Sequence, residues 1–339
     1  MPITRNQRNP LIGADQEPVF SAKVTSFNSS TNYVVPSKTT SVTYLVVAGG
    51  GAGGFFGGGG GAGGYRSSTP GEASGGGASA EPALTVTAGS TVPVVVGAGG
   101  VGTVAHGYWD PGADSSFGPI VSAGGGSGGN RFAYTQPGNP AGGSQLGQDG
   151  GSGGGAGIWY GVGDYPNGDA SGRGTANQGF PAGGARSPAS NYGCAVGGGG
   201  ASEAGQKGNP DNVIGGRGGA GVASSITGSP VAYADGGGGA SGNSGLSAPN
   251  NKGGAPGPGG SGGTGYGSGS PSNLEATDGA VNKGGGGGGS AYGPSPGSRI
   301  VGNGGSGFVA VNDPNGDFAA SSVWNLRAVF TLKKAGDWI

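Results

Sequence analysis

Short apolar runs punctuate the chain, and most of them stop where glycine starts. Thr43-Tyr44-Leu45-Val46-Val47-Ala48 leads into GGGAGG, Val92-Pro93-Val94-Val95-Val96 into GAGGVG, Phe117 to Ala123 into GGGSGG, and Val231-Ala232-Tyr233-Ala234-Asp235 into GGGG. The order reverses at 302–311, where GNGGSG leads into Phe308-Val309-Ala310-Val311. Apolar runs rich in β-branched and aromatic residues and bounded by glycine predict strands. Further strand segments are expected at 20–26, 32–35 and 84–87. One segment carries a helical period: Ser321 or Ser322 suits an N-cap, Val323, Leu326 and Phe330 share a face, and Lys333, Lys334 and Gly336 suit its end. Trp324, Leu326, Ala328, Phe330 and Leu332 also alternate, as a strand would. The expectation adopted for 313–339 is a short helix packed on the β module or on a partner subunit.

Neither of the longest aliphatic runs, 44–48 and 92–96, approaches the roughly 20 residues of a membrane span. The first twenty residues lack the apolar core of about 7–15 residues of a secretory signal. These features lead to the expectation of a soluble protein, made in a cytoplasm and without membrane insertion.

Composition changes the picture. Of 339 residues 92 are glycine and 23 proline, and only 10% are charged, against about 25% in ordinary domains. All the glycines except Gly13, Gly316 and Gly336 lie in residues 49–307. With 16 Lys+Arg against 17 Asp+Glu, the strongly basic balance of a nucleic-acid binder is missing. One cysteine, Cys194, permits no intrachain disulfide, and one histidine, His106, permits no His-pair metal site. Matches to GxGxxG carry no weight in such a chain, because no amphipathic helix follows any of them. No enzyme activity, cofactor or metal is expected.

A glycine-rich segment of this kind is by default a disordered linker. Collagen is excluded, because glycine does not recur strictly at every third position. The ordered form best suited is polyglycine II, a three-residue-per-turn helix without internal hydrogen bonds, which is stable only where neighbours satisfy its backbone. Glycine-dense runs fall near 49–54, 57–64, 97–102, 124–129, 150–157, 197–200, 215–221, 236–239, 253–265, 284–289 and 302–307. The fold expected is therefore mainly β and irregular: a small antiparallel β module continuing into a bundle of packed polyglycine II helices, with a short C-terminal helix. The domains expected are an attachment arm over 1–19, a β module over 20–48 completed by 84–96 and 307–312, a glycine-rich domain over 49–307, and a tail over 313–339.

Several stretches together resemble glycine-rich bacteriophage tail-fibre proteins, including distal-tip adhesins. They are TNYVVPSKTTSVTYLVVAGGGAGG (31–54), GGGGGAGGYR (57–66), LTVTAGSTVPVVVGAGGVG (84–102), DSSFGPIVSAGGGSGG (114–129) and GGSGFVAV (304–311), with the Trp-containing tail VWNLRAVFTLKKAGDW (323–338). The resemblance implies a polyglycine II sandwich, a place in the virion, and host-surface binding through loops. The partners expected are a host cell-surface protein or glycan, and other virion proteins through the N-terminal arm. A homotrimer is compatible with the resemblance.

Aromatic residues concentrate in 106–192, and Tyr and Trp suit sugar or protein recognition. The candidate receptor-binding residues are Tyr108, Trp109, Phe132, Tyr134, Trp159, Tyr160, Tyr165 and Tyr192. The competing reading is that such rings shield the open edges of the glycine array. If neighbouring rods alternate in direction, successive loops are expected at opposite ends, so that the 106–115 and 130–149 loops need not share a tip. His106 with Asp110 and Asp114, and Asp164 with Asp169, read as polar turns rather than metal or acid/base sites, and Cys194 reads as a packing residue. The function expected is non-covalent attachment of a phage tail fibre to its host. The alternative is a purely structural virion decoration or a filament-forming appendage subunit.

Overall fold

The run Tyr44-Leu45-Val46-Val47 is apolar without interruption because both of its faces are covered. In the computed structural model, which describes residues 20–55, 57–102, 110–130, 146–157, 170–184, 194–208, 215–240, 276–290 and 301–318, it forms strand β3 (Ser41–Val47). An antiparallel sheet surrounds it in the order β1 (Phe20–Phe27), β11 (Phe308–Phe318), β3 and β4 (Tyr65–Ser67), with β5 (Leu84–Thr85) also paired to β3. A second antiparallel sheet has the order β2 (Thr31–Val34), β6 (Thr91–Val95), β7 (Ser115–Phe117) and β8 (Ile120–Ser122), and β9 (Val222–Ser224) forms a hairpin with β10 (Val231–Tyr233).

Period-two alternation divides the side chains of β3 and β11 between two cores. Val42, Tyr44, Val46, Val309 and Val311 pack against Tyr33, Val94 and Phe117 of the second sheet. Leu45, Val47, Phe308 and Ala310 pack on the other side against Tyr65, Val222 and Tyr233. Tyr33 meets Phe117 edge-on at 5.8 Å, and Tyr233 stacks on Phe308 at 5.3 Å. Asp313 is buried at the edge of the first core, where its carboxylate accepts from Thr39 Oγ1 (2.5 Å) and from the Asn315 N–H (2.8 Å).

The glycine segments begin where these strands end, and their backbone bonds run outward to other segments. Along 48–54 the N–H groups address three neighbours in rotation. Gly49 and Ala52 donate to Ala113 and Asp110, Gly50 and Gly53 to Gly305 and Gly302, and Gly51 and Gly54 to Gly61 and Gly58. The same three-residue repeat holds along 57–64. This segment donates to 123–129 (Gly58 to Gly129, Gly61 to Gly126), to 196–199 (Gly59 to Val196, Ala62 to Gly199) and to 284–290 (Gly60 to Gly287, Gly63 to Gly284). It accepts from 48–54 (Gly51 to Gly61), from 152–155 (Ser152 to Ala62, Gly155 to Gly59) and from 237–240 (Gly237 to Gly60, Ala240 to Gly57). Six segments thus enclose it, and every residue from 57 to 64 is buried.

Two expectations are corrected. In place of a bundle of helices, the regular secondary structure is antiparallel sheet, and the helical content among the described residues is a single 3-10 turn at Gly75–Gly77. Among the described residues the glycine segments form neither helix nor strand, and their N–H groups bond to neighbouring segments. The C-terminal helix expected over 313–339 is corrected where the tail is described: residues 313–318 are the end of β11, paired with β1 through Lys23↔Asp313 and Phe20↔Phe318, while Ser321 to Gly336 lie outside the described residues. Residues 1–19 and 319–339 lie outside the described residues.

Close approach of backbones is what requires glycine here. A Cβ on Gly60 would overlap the carbonyl of Gly51, whereas a Cβ on Gly89, in an open turn at φ 73°, meets nothing within 4 Å. Gly60→Ala is expected to cost about 3 kcal/mol or more by backbone overlap in a close-packed interior. Gly89→Ala is expected to cost only the left-handed penalty of about 1–2 kcal/mol. Chemical denaturation of the two variants checks the order.

Candidate functional site: the loop-bearing end of the glycine lattice

The hydrogen bonds fix the direction of each glycine segment and hence the end at which each connection lies. The near end is the sheet end, where β3 runs into Ala48 and Gly307 runs into β11. The far end is marked by a ring of bonds: Gly54 to Gly58, Gly58 to Gly129, Gly129 to Gly155, Ala240 to Gly57, Gly57 to Ser290 and Ser290 to Gly54. Val196 donates to Ala156, Ala195 to Ala240, Gly216 to Ala195 and Gly147 to Ala170, which carries the far end across to the remaining segments. Ala52 and Gly53 donate to Asp110 and Gly302 at the same end.

The stem residues 102 and 110, 130 and 146, 157 and 170, 184 and 194, 208 and 215, 240 and 276, and 290 and 301 therefore all sit at the far end. The segments they bracket include 103–109, 131–145, 158–169 and 185–193. Tyr108, Trp109, Phe132, Tyr134, Trp159, Tyr160, Tyr165 and Tyr192 lie in these segments and so outside the described residues, as do His106, Asp164 and Asp169. Directions do alternate, yet these long connections share one end. The near-end returns are short turns, such as 149–150, 175–178 and 281–284, or pass through the strands of the sheets, where 68–83 makes a longer connection between β4 and β5. The 106–115 and 130–149 loops, which alternation would have allowed to lie apart, thus have the stems at 110, 130 and 146 at one end.

Side-chain oxygens finish the backbone pairing where a segment runs out of neighbours. At the far end Asp110 Oδ2 accepts from Val101 N–H (2.9 Å), Asn303 Oδ1 from Gly102 N–H (2.7 Å), Asp278 Oδ1 from Asn303 N–H (2.7 Å) and Asn130 Oδ1 from Phe55 N–H (2.5 Å). At the near end Asp114 accepts from Gly124 N–H (2.7 Å), Asp149 from Arg173 N–H (2.6 Å) and Gln178 from Ala123 N–H (2.8 Å). Asp110 and Asp114 are thus caps on two different segments rather than members of one site. Asn130, Asp278 and Asn303 escape sequence reading, because an isolated Asp or Asn beside glycine looks like an ordinary turn former. Small apolar plugs lie within the lattice: Phe55 with Val301, Ala195 with Ala240, and Ala156, Ala170 and Ala182 with Val196. Of the other aromatic residues in 106–192, Phe117 is buried between the sheets, and Phe180 threads its backbone through the lattice, donating to Gly200.

Ionisable groups cluster at the near end. Arg66 forks onto Glu81 (Nε to Oε1 2.8 Å, Nη2 to Oε2 2.7 Å), and Tyr44 donates to Glu81 Oε2 (2.8 Å). Burial pushes the Glu81 carboxyl up, but the Arg66 and Tyr44 bonds outweigh it and hold the group below its usual range. This pair lines a polar cleft of about 430 Å³ with Ser79, Asn177 and Gln178. Asp235 is 2% exposed; its Oδ1 accepts from Gly221 N–H (2.9 Å), and its Oδ2 has no partner among the described residues. Burial pushes this carboxyl up to about 6, against the pull of the Gly221 N–H, Arg217 and Lys283. Lys283 stands 4.7 Å over the Tyr233 ring, and burial lowers its pKa. No group of three or more His, Cys, Asp or Glu residues arranged to hold a metal ion occurs among the described residues, and none of their helices is long and apolar enough to cross a membrane.

The family of glycine-rich domains matches residues 25–312, from the paired strand β1 to the paired strand β11. The chain belongs to the glycine-rich domain family. Comparison with curated proteins returns no match. The matched span encloses every glycine segment described above, together with the sheets that open and close them. In this glycine-rich domain the described glycine segments pair through backbone bonds and side-chain caps.

Two outcomes follow. Asp110→Ala removes the acceptor of the solvent-exposed Val101 N–H and is expected to lower stability by about 0.5–1.5 kcal/mol, with Asp110→Asn close to wild type; denaturant melts of both variants check this. For Asp235 the folded-state value of about 6 exceeds the ordinary 3.8, so the folded state holds the proton more tightly. Its contribution is most favourable below the lower value and declines as pH rises through the higher one. Asp235→Asn is therefore expected to exceed wild type by about 2–3 kcal/mol at neutral pH and to match it near pH 3.5, read from the difference between paired melting series.

Proposed function

We propose that this protein is a phage tail-fibre component that attaches the virion to its host non-covalently, through loops on the glycine-rich scaffold. One observation carries the reading: the stems of seven long connections share one end of the lattice, while the two ends of the described chain, Phe20 and Phe318, pair with each other at the tip of the β1–β11 ribbon beyond the sheets. β11 extends away from the lattice from Phe308 to Phe318, so Phe20 and Phe318 and the loop stems occupy opposite poles. That polarity suits a part fixed at one end and presenting variable surface at the other.

The scaffold supports the same reading. Loops carry binding function best when rigid elements hold their ends, and here the stems are pinned by backbone bonds, those near 102, 110, 130 and 303 also by Asp or Asn caps. The ligand envisaged is a cell-surface protein or glycan met by Tyr108, Trp109, Phe132, Tyr134, Trp159, Tyr160, Tyr165 and Tyr192. Tyr and Trp offer large contact area for few rotatable bonds. The N-terminal arm over 1–19 would join other virion proteins, and the protein would act outside the cell without catalysis or cofactor.

The test is adsorption of particles carrying Trp109→Ala and Trp159→Ala. Loss of two aromatic anchors at about 1–2 kcal/mol or more each predicts at least a tenfold fall in the adsorption rate, with the melting temperature of the purified protein unchanged. Unchanged adsorption by particles with a folded variant removes these residues from the site.

A further inference from the structure

An asparagine followed by glycine is chemically exposed, because glycine has no Cβ to keep its nitrogen away from the preceding carboxamide carbon. The pair occurs at 167–168, 303–304 and 315–316. The first lies outside the described residues. The other two stand in opposite surroundings.

At 303–304 both reacting groups are engaged. The Gly304 N–H donates to the Gly100 carbonyl (2.8 Å), and Asn303 Oδ1 accepts from the Gly102 N–H (2.7 Å). The Asn303 N–H is itself held by Asp278 Oδ1 (2.7 Å). A carbon added to Gly304 would overlap the carbonyl of Gly50, so the peptide has no room to turn its nitrogen onto the side chain.

At 315–316 the pairing is interrupted. Lys23 faces Asp313 and Ser21 faces Asp317, so Pro314, Asn315 and Gly316 bulge against Ala22 alone and have no partner in the register. Pro314 is exposed and Asn315 half-buried. β11 pairs with β3 only from Phe308 to Asn312, so among the described residues no third strand braces the bulge. The Asn315 N–H donates to Asp313 Oδ1 (2.8 Å), a local turn that does not involve the Gly316 nitrogen.

We propose that Asn315 is a site of spontaneous deamidation, from which the lattice protects Asn303. The Gly316 nitrogen gives its proton to hydroxide and bonds to Asn315 Cγ. The bond from Cγ to the side-chain nitrogen breaks, and that nitrogen leaves as ammonia. Water then opens the cyclic imide at either carbonyl, to aspartate or isoaspartate. Either product adds a carboxylate between Asp313 and Asp317 in the sequence, where like charges repel. Isoaspartate also lengthens the backbone by a methylene, which disturbs the register beyond the bulge. The pairs Ser21↔Asp317 and Phe20↔Phe318 therefore loosen as the protein ages, at the pole opposite the loop stems.

Incubation of the full chain at mildly alkaline pH, with peptide mapping by mass spectrometry, reads the conversion at each asparagine. In the native protein Asn315 is expected to convert at least about tenfold faster than Asn303, where two hydrogen bonds must open first. In strong denaturant the two should convert at similar rates. Equal native rates, or a faster Asn303, overturn the inference. A difference of the same size in denaturant does so too, because it would then belong to the local sequence and not to the fold. Amide exchange at Asp317 and Phe318 is expected to quicken in aged wild type and to stay unchanged in aged Asn315→Gln; conversion at Asn315 that leaves these amides unaltered overturns the loosening.

Discussion

Hydrogen bonding between the backbones of separate glycine segments is the interaction on which the rest of the structure depends. A buried peptide group without a partner costs about 1–3 kcal/mol, and 57–64 places a whole segment of such groups in the interior. They are satisfied only because six other segments come close enough, in three directions for the donors and three for the acceptors. That approach is open to glycine because it has no Cβ; at Gly50, Gly58 and Gly60 an added carbon would coincide with a neighbouring carbonyl. Side-chain packing supplies the starting frame. The valines and tyrosines of β3 and β11 set the spacing from which Ala48 and Gly307 enter the lattice.

Order in the lattice is transmitted along the molecule. Each segment has a defined direction, and the seven connections named above all have their stems at the far end, while the near-end returns are short turns or pass through the sheets, where 68–83 forms a longer connection between β4 and β5. Caps from Asp110, Asn130, Asp278 and Asn303 then finish the stems. A change within a loop leaves these bonds untouched, whereas a change in a lattice glycine alters the platform for all of the loops. The division of labour follows from where polar groups are spent: lattice backbone on other lattice backbone, and capping side chains on segment ends.

Parts of this arrangement are readable from the residues, for physical reasons. The uninterrupted run Tyr44 to Val47 signals a strand buried on both faces, and both faces are covered. The apolar runs at 92–96 and 308–311 fall in β6 and β11. The C-terminal helix expected from Val323, Leu326 and Phe330 drew its boundary at 313. Asp313 is instead held in β11 by Thr39, a residue 274 positions away in the chain, and no local periodicity reports such a contact. Segments such as 110–113 and 203–206 join the lattice with few glycines, so composition does not reveal them. The shared end of the loops was illegible for another reason. It depends on the parity of short and long connections, which is a property of the whole chain and not of any motif. The candidate aromatic residues were found by type alone, and what the structure adds is the position of their stems.

Amide hydrogen exchange at the glycines of 57–64 tests the central claim most directly. If backbone pairing between segments is the core of the molecule, these amides exchange only through global unfolding, and their protection equals the full unfolding free energy. Exchange of Gly58 to Gly64 at the rate of unstructured glycine, while the amides of β3 and β11 stay protected, would contradict the account.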